Sequence, residues 1–509
     1  MRRIPWATGA LAGIAAACVG LGVGELLAAF VGTSPLSGVS SFVIDLTPGW
    51  LKEFVISFAG TADKVVLILS LLVVVAVTAV LAGLLERVRP PWGSALLGLL
   101  AVVAVVAVST RSGATPLAPL PAVVGAAASI VALRLLTRRA VREERVVDAP
   151  AAAAGSTRRS FLVTSIAAAV IGAAAAATAQ TVSLGSRAIE TARRAIRLPQ
   201  PATAAPPVPP GAILDVPGIS PLITPNADFY RIDTAVFLPL LDPAEWTLKI
   251  TGMVEHPVEI GYDQLLALPM TESRITIGCV SNPVGGPYIS TATWLGYPIR
   301  NLLAWAKPLP DADMVLSKSS DGFTAGTPIE ALTDDRDALL AVGMNGAPLP
   351  REHGFPARMV VPGLFGYVSA TKWVVELEVT RYDRVQAYWT QRGWGEQGPV
   401  KMSSRIDVPI AGRKVSAGTV TVAGVAWEQH TGISKVEVQV DDGPWNEARL
   451  GDALSADTWR QWSWDWPAEP GTHTLTVRAT DTDGVLQDTT MRNVLPDGAT
   501  GLHAITVEV

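Results

Sequence analysis

Cys279 ends an alternating stretch, Arg274-Ile-Thr-Ile-Gly, and opens a loop rich in glycine and proline, Cys279-Val-Ser-Asn282-Pro-Val-Gly-Gly-Pro. A strand end leading into such a loop lets the backbone approach a ligand and leaves the thiol accessible. Two chemistries use a cysteine so placed. As a thiolate it binds a soft metal, and as a nucleophile it attacks an electrophile. Both require access and a thiol pKa brought down by the surroundings. Without those, the residue is a small apolar filler. Zinc is disfavoured, because the domain holds no second cysteine and no paired histidines. A Cys–His hydrolase would take His353 as base, and nothing local supports that pair. The only other cysteine, Cys18, lies in an apolar run, so there is no disulfide framework.

The elements around Cys279 read as a mixed fold. Trp246–Gly252 and Arg274–Gly278 alternate apolar and polar residues and predict strands, as does Lys372–Thr380. Tyr262–Leu268 and Ile299–Ala306 have helical spacing. From residue 405 onward helices fade. Thr419–Val425, Ser434–Val440 and Thr472–Ala479 alternate, with Asp-Gly and Pro-Gly turns between them. This predicts an antiparallel β-sandwich of immunoglobulin type, with Trp427, Trp445, Trp459, Trp462, Trp464 and Trp466 as core and rim. Ahead of the mixed region, Leu198–Gly211 contains six prolines and reads as a stiff extended spacer that lifts a globular unit off a membrane.

The membrane is implied by the first part of the chain. Of the 509 residues 49% are hydrophobic and 17% charged, less charge than a soluble protein of this size carries. The net charge of −5 divides into 18 Lys and Arg against 9 Asp and Glu before residue 201, and 22 against 36 after it. An acidic second half argues against nucleic acid as its partner. Trp6–Val31, Val65–Leu85, Trp92–Thr110 and Pro116–Leu136 are each long and apolar enough to span a bilayer. A fifth, Ala-rich stretch, Phe161–Gly185, follows Ser156-Thr-Arg158-Arg159-Ser-Phe-Leu, which resembles a twin-arginine export signal and implies transport of an already folded domain. Ala177-Thr-Ala179 also offers a signal-peptidase site.

The basic flanks Arg2, Arg3, Arg87, Arg89 and Arg134 to Arg159 put the N-terminus in the cytoplasm and residues after about 185 outside the cell. Arg187, Arg193, Arg194 and Arg197 run against that bias and are expected near anionic headgroups. The first four spans hold no histidine, and no methionine after Met1, so haem between them is not expected. Glu25 reads as reaching the interface. Gly20-Leu-Gly22-Val-Gly24 reads as helix packing rather than a nucleotide loop, since no strand precedes it.

Several motifs of the second half together resemble the sulfite-oxidase family of molybdenum oxidoreductases. They are Thr224-Pro-Asn-Ala-Asp-Phe-Tyr-Arg, Ile277-Gly-Cys279-Val-Ser-Asn282 and Trp294-Leu-Gly296-Tyr-Pro-Ile, then Asn345-Gly-Ala-Pro-Leu-Pro-Arg-Glu-His353-Gly-Phe-Pro-Ala-Arg358 and Lys372-Trp373. Gly424-Val-Ala-Trp427 and Asp441-Asp-Gly443-Pro-Trp445 resemble that family's dimerisation domain and imply a homodimer. The resemblance implies a molybdenum–molybdopterin cofactor with Cys279 as the protein's metal ligand. It further implies cofactor contacts from Phe229, Tyr230, Arg231, Ile232, Asp233, Asn282, His353, Ala370 and Thr371. Arg358 and Lys372 suit the pterin's phosphate, one a fork and one a point charge.

The departures bear on substrate. The family follows its cysteine with Asn and two arginines, where this chain has Asn282, Pro283 and Val284. The family's Arg-Asn-His corresponds to Ile232-Asp233-Thr234, and its active-site tyrosine to Trp394 in Trp389-Thr-Gln-Arg392-Gly-Trp394. Loss of guanidinium groups argues against a small dianion such as sulfite, although Arg392 and Arg405 still offer positive charge. Trp394 favours a neutral or bulky substrate, for instance a sulfoxide, with Trp394 and Arg392 shaping the catalytic pocket beside Cys279.

The expected fold is therefore multi-domain. A four-helix transmembrane region (1–140) precedes the twin-arginine motif and fifth helix (141–197) and the Pro-rich linker (198–211). A mixed α+β molybdopterin-binding domain (212–398) and an immunoglobulin-like β-sandwich (399–509) follow. The expected function is membrane-tethered, extracytoplasmic oxygen-atom transfer on a small molecule. With no haem motif in the chain, the electrons pass through a separate cytochrome or soluble carrier. The alternatives are a cofactor-free binding or scaffold protein that keeps the fold, and a thiol-based hydrolase or redox enzyme without metal.

Overall fold

The structure is a computed structural model and describes residues 5–31, 34–47, 63–110, 117–146, 184–235 and 238–509. These fall into two compact units, one of Met1–Ala188 with Thr234–Leu238, the other of Ile189–Asp233 with Pro239–Val509. The first is helical: α1 (Pro5–Val31), α2 (Pro35–Leu46), α3 (Asp63–Val88), α4 (Trp92–Ser109) and α5 (Leu120–Val146). All but α2 are long and apolar enough to cross a bilayer. Their large side chains point outward, with Val73, Val77, Leu99, Val102 and Val131 exposed, as lipid-facing helices require.

The contacts between these helices are made by small residues. A β-carbon on Gly13 of α1 would lie 1.9 Å from Ala79 O of α3, and one on Gly20 would lie 2.6 Å from Ser129 Cβ of α5. Backbones can approach that closely only where no side chain intervenes. Glu25 accepts the Leu36 N–H (3.0 Å) and so caps α2. Glu86 does the same for α4 through the Ser94 N–H (2.7 Å). The twin-arginine motif, the Ala177–Ala179 stretch and nearly all of the fifth apolar segment lie outside the described residues.

α6 (Leu184–Ala195) contributes to the second unit from Ile189, which is buried beside Phe229 and Trp294. Arg193 and Arg194 already have a carboxylate partner. Both bind Glu190 Oε1, at 2.8 and 2.7 Å, and Arg193 also donates to Pro348 O. The Pro-rich stretch is extended, as its prolines demand, yet it is no free spacer. Ala202 N–H donates to Met270 O, Glu272 N–H to Thr203 O, and Asp452 N–H to Gly211 O, so the segment is strapped along the domain.

Two five-stranded sheets build the central domain. One holds β1 (Thr247–Gly252), β2 (Val258–Gly261), β5 (Met314–Ser319), β6 (Thr324–Pro328) and β10 (Val374–Thr380), in the order β2-β1-β10-β5-β6. The other holds β3 (Thr271–Gly278), β4 (Ile289–Pro298), β7 (Leu339–Met344), β8 (Ala347–Pro348) and β9 (Arg358–Val360). Every residue of β7 is buried, which explains its unbroken apolar sequence.

The C-terminal domain packs the sheet β11 (Ser403–Val408), β12 (Gly418–Trp427), β16 (Arg460–Ala468) and β15 (Arg449–Leu450) against β13 (Ile433–Val440), β14 (Trp445–Glu447), β17 (Thr472–Asp481) and β18 (His503–Glu508). Trp462, Val436, Leu475 and Val507 form its core. At the end of β12, burial and the neighbouring Asp481 push the Glu428 carboxyl up to about 7.

That shift sets a pH dependence. Between the ordinary carboxyl pKa and about 7 the folded chain holds a proton that the unfolded chain has released, so this stability is present at low pH and lost as pH rises through 7. Glu428→Gln should therefore exceed the native chain in stability at pH 8 by about 1 kcal/mol, after allowance for its half-exposed position, and match it near pH 4. Thermal unfolding of the intact protein at both pH values measures this.

Candidate functional site

β3 and β4 pair antiparallel, and residues 279–288 form the loop between them. The loop is closed at its base by Cys279 N–H to Tyr288 O (2.9 Å) and Asn282 N–H to Cys279 O (3.0 Å). Asn282 Oδ1 accepts the Tyr288 N–H (2.8 Å), so this side chain shapes the loop. Cys279 is partly exposed, and its sulfur lies 3.0 Å from Ser281 Oγ. Burial pushes the thiol pKa up, while Ser281 and Lys372 oppose that.

Phe229 and Tyr230 reach the same place from a segment fixed by Asn345. This asparagine donates to Thr224 O and Asn226 Oδ1 and accepts the Thr293 N–H. Phe229 stacks on Tyr230 and meets Trp294 and His353 edge-on. Tyr230 feels both Cys279 and Arg358: burial and the thiol push its phenol pKa up while Arg358 opposes them. His353 is buried on the turn Arg351–His353, and its Nε2 is 3.0 Å from Asn226 O. A carbonyl only accepts, so Nε2 carries the proton and Nδ1 presents a lone pair. Burial, then Arg358, hold the His353 pKa near 4, and the ring is neutral at pH 7.

Two buried cations complete the cluster. Arg358, at the start of β9, is 4% exposed and lies 5.0 Å over the Trp294 ring. Its described hydrogen bonds go to carbonyls, His353 O (3.1 Å), Ala370 O (3.4 Å) and Met359 O (3.4 Å), and none to a carboxylate. Burial brings its pKa down to about 10. Lys372 binds Asp233 Oδ2 (2.8 Å) and Glu352 O (3.1 Å). Burial lowers its pKa to about 8 against the pull of Asp233. Asp233 also receives Arg231 (2.9 Å). Thr371 Oγ1 pairs with Ser317 Oγ (2.7 Å) and Thr371 O accepts the Met359 N–H.

The fold thus gathers Cys279, Tyr230, Phe229, His353, Arg358, Lys372, Asp233, Ala370 and Thr371. Ile232 is 41% exposed, and Arg231 points to Asp233. Trp394 and Arg392 belong to a neighbouring aromatic group. The Arg392 guanidinium sits 3.6 Å over the Tyr388 ring and donates to Tyr388 O, while Trp394 packs on Tyr367 and Trp389. Trp394 is linked to the thiol cluster through Tyr367 and its neighbour Gly366, where a β-carbon would be 3.6 Å from Tyr230 Oη. Arg405 is not spare positive charge, because it binds Asp407 Oδ1, Gly286 O and Ser220 Oγ. Sequence reasoning missed Ser281, Asn226 and Tyr367 as parts of the site. Ser281, two residues beyond the cysteine, was within reach of a simple spacing argument.

Residues 235–389 match the family described as an oxidoreductase molybdopterin binding domain, and residues 403–477 a bacterial Ig domain. Sulfite oxidase of Gallus gallus is 29% identical over 298 residues, 49% of this chain and 64% of that protein. Mitochondrial sulfite oxidase of Homo sapiens is 30% identical over 302 residues, 50% of this chain and 55% of that protein, so the match spans less than two thirds of either relative. An uncharacterized oxidoreductase, YuiH of Bacillus subtilis (strain 168), is 30% identical over 157 residues, 31% of this chain and 76% of that protein. Among solved structures, the sulfane dehydrogenase SoxCD from Paracoccus pantotrophus aligns at 25% identity with a TM-score of 0.49, covering 56% of this chain and 81% of that one.

The residues present fit such a cofactor. A soft, accessible thiol stands at one end of the cluster, and Arg358, a buried cation without a carboxylate, calls for an anion from outside the chain. Lys372 and the open Nδ1 of His353 add a cation and an acceptor for a polar ring system. The chain belongs to the sulfite-oxidase family of molybdopterin-dependent oxidoreductases, enzymes that work with a molybdenum–molybdopterin cofactor.

Proposed function

We propose that this is a membrane-tethered oxidoreductase with its catalytic domain outside the cytoplasm, moving one oxygen atom and two electrons between molybdenum and a small substrate other than sulfite. The observation that carries the reading is one accessible thiol in the same cluster as a buried guanidinium whose described hydrogen bonds go to carbonyls and which lies over an aromatic face. When bound, the molybdenum cofactor supplies the metal that exchanges the oxygen atom and the electron pair. Cys279 would hold that metal as a thiolate. Arg358 and Lys372 would bind the phosphate, the first by a planar fork and the second by a point charge. His353 would accept a ring N–H at Nδ1, its proton held on Nε2 by Asn226 O. Phe229 and Trp294 keep water from the cations, which strengthens every charge interaction there.

The substrate argument rests on charge. Pro283 and Val284 occupy positions that hold arginines in sulfite oxidases, and Arg405 is committed to Asp407 and Gly286. A pocket that lacks those two arginines concentrates a dianion less, and the charge left in the aromatic group is that of Arg392, over the Tyr388 ring. The aromatic group of Trp389, Trp394 and Tyr367 suits a neutral, polarisable molecule. The tether rests on four apolar helices, and its orientation on the basic flanks that follow the positive-inside rule. A separate carrier would take up or deliver the electrons.

Metal and pterin analysis of the full-length protein, matured in a host that makes the cofactor, tests this directly. About one molybdenum and one pterin per chain are expected. A protein free of both would instead be a binding or scaffold protein. A dye-coupled screen of sulfite, sulfoxides and N-oxides then tests the substrate, and sulfite turnover at about 10 per second, an ordinary enzyme rate, would overturn that part.

A further inference from the structure

Both limbs of the Cys279 loop are bonded to the C-terminal domain. On the incoming limb, Thr276 N–H donates to Asp457 O (2.9 Å) and the Trp459 N–H donates to Thr276 Oγ1 (2.8 Å). On the outgoing limb, Arg405 of β11 donates through Nη1 to Gly286 O (2.8 Å). The other nitrogens of that guanidinium go to Asp407 Oδ1 (2.7 Å) and Ser220 Oγ (2.8 Å), which fixes its plane. The loop tip is seated as well. Gly285 has φ +74°, and a β-carbon there would lie 2.1 Å from His503 Cδ2 of β18. His503 is in turn fixed, because its Nδ1 accepts the Ile406 N–H (3.0 Å).

We infer that Arg405 is a positioning residue for Cys279, and that the immunoglobulin-like domain is thereby a working part of the thiol site. Cys279 and Tyr288 are joined by a backbone hydrogen bond, so the two limbs move together. The bond from Arg405 to Gly286 is charge-assisted and largely shielded from water, since the Arg405 side chain is 11% exposed. Releasing it frees the outgoing limb, and with it the direction in which the thiol points. The consequence for metal binding rests on the assignment of Cys279 as ligand, whereas the positioning of the loop does not.

The test uses full-length protein purified without cofactor, as native chain, Arg405→Ala, Arg405→Lys and Gly285→Ala. Two rates are read: alkylation of Cys279 by iodoacetamide, followed on its own peptide so that Cys18 does not contribute, and deuterium uptake by residues 279–288. Arg405→Ala should raise both about tenfold, with uptake across β11 to β18 unchanged, and Arg405→Lys should recover part of the protection. Gly285→Ala should act in the same direction with Arg405 in place, because its β-carbon displaces the tip from His503. The inference is overturned if both alanine variants stay within about twofold of the native rates, or if Arg405→Ala loosens the whole C-terminal domain while Gly285→Ala is silent. Absence of molybdenum from the matured native enzyme would sink the functional reading and leave this result standing.

Discussion

Cys279→Ser is expected to give a folded protein that carries almost no molybdenum and turns over at least about a thousandfold more slowly than the native enzyme, a loss of roughly 4 kcal/mol in transition-state stabilisation. The substitution changes one atom. Serine is the smaller residue and can keep a hydrogen bond to Ser281 Oγ, 3.0 Å from the present sulfur, so stability should shift by no more than about 1 kcal/mol. What disappears is softness and acidity. A hydroxyl does not ionise near neutrality, so the position no longer offers the metal an anionic sulfur donor. Elemental analysis, a melting curve and dye-coupled turnover on one preparation separate the three effects. A variant with normal metal content and normal activity would show that the sulfur is not a ligand. The native protein discriminates further. A thiol-based enzyme would lose activity in Cys279→Ser without ever having held metal.

The burial of Cys279 makes the same point from the other side. In the isolated chain its pKa is raised, so at pH 7 it rests as a thiol. Ser281 and the charge of Lys372 lower the cost of ionisation without cancelling it. A cysteine poised as a free nucleophile would need the opposite balance, with a base at hand. His353 would be a weak one, since burial and the charge of Arg358 hold its pKa near 4. A metal ion, by contrast, deprotonates the thiol outright.

Much of the fold is legible in the sequence because its signals are periodic. Ile299–Ala306 is a helix over the expected residues, and Thr419–Val425 lies inside β12. Gly20, which could be mistaken for a nucleotide loop, packs against Ser129 as small residues in a membrane helix do. What failed to read was tertiary. Prolines forced the 198–211 segment to be extended, but nothing local says that its N–H and C=O groups pair with Met270, Glu272 and Asp452. Arg193 and Arg194 stand out in the sequence by their charge, and the structure adds that Glu190, one turn earlier, binds both. The cluster around the thiol was legible through its motifs, which is why His353 and Arg358 converge as expected. Trp394 and Arg392 are marked in the sequence only by the short motif from Trp389 to Trp394, and in the structure they pack on Tyr367 and Tyr388 in a group beside the thiol cluster. Arg405 reads as free because two of its three partners, Gly286 and Ser220, come from distant parts of the chain.

Arg358→Met is the complementary experiment, and its effects on stability and on cofactor retention should diverge. In the cofactor-free chain Arg358 is a desolvated charge whose partners are the carbonyls of His353, Ala370 and Met359 and the face of Trp294. Burial already lowers its pKa to about 10, so the fold tolerates this charge rather than being stabilised by it. Methionine has similar length, packs on Trp294 and carries no charge. Leaving the carbonyls of His353 and Ala370 without a donor costs about 1 kcal/mol each, and removing the buried charge returns a similar amount, so unfolding of the apo-protein should change little. Binding tells the other story. An anionic phosphate against Arg358 would be paired in a dry site, and losing that partner costs about 3 kcal/mol, roughly a 150-fold drop in cofactor affinity. Pterin content after dialysis and the midpoint of apo-protein unfolding give the two quantities. If pterin is retained as in the native enzyme, the phosphate does not lie at Arg358. If the apo-protein is instead destabilised by several kcal/mol, the arginine holds the fold through its carbonyl bonds, and the cation without an anion is no longer evidence for a cofactor.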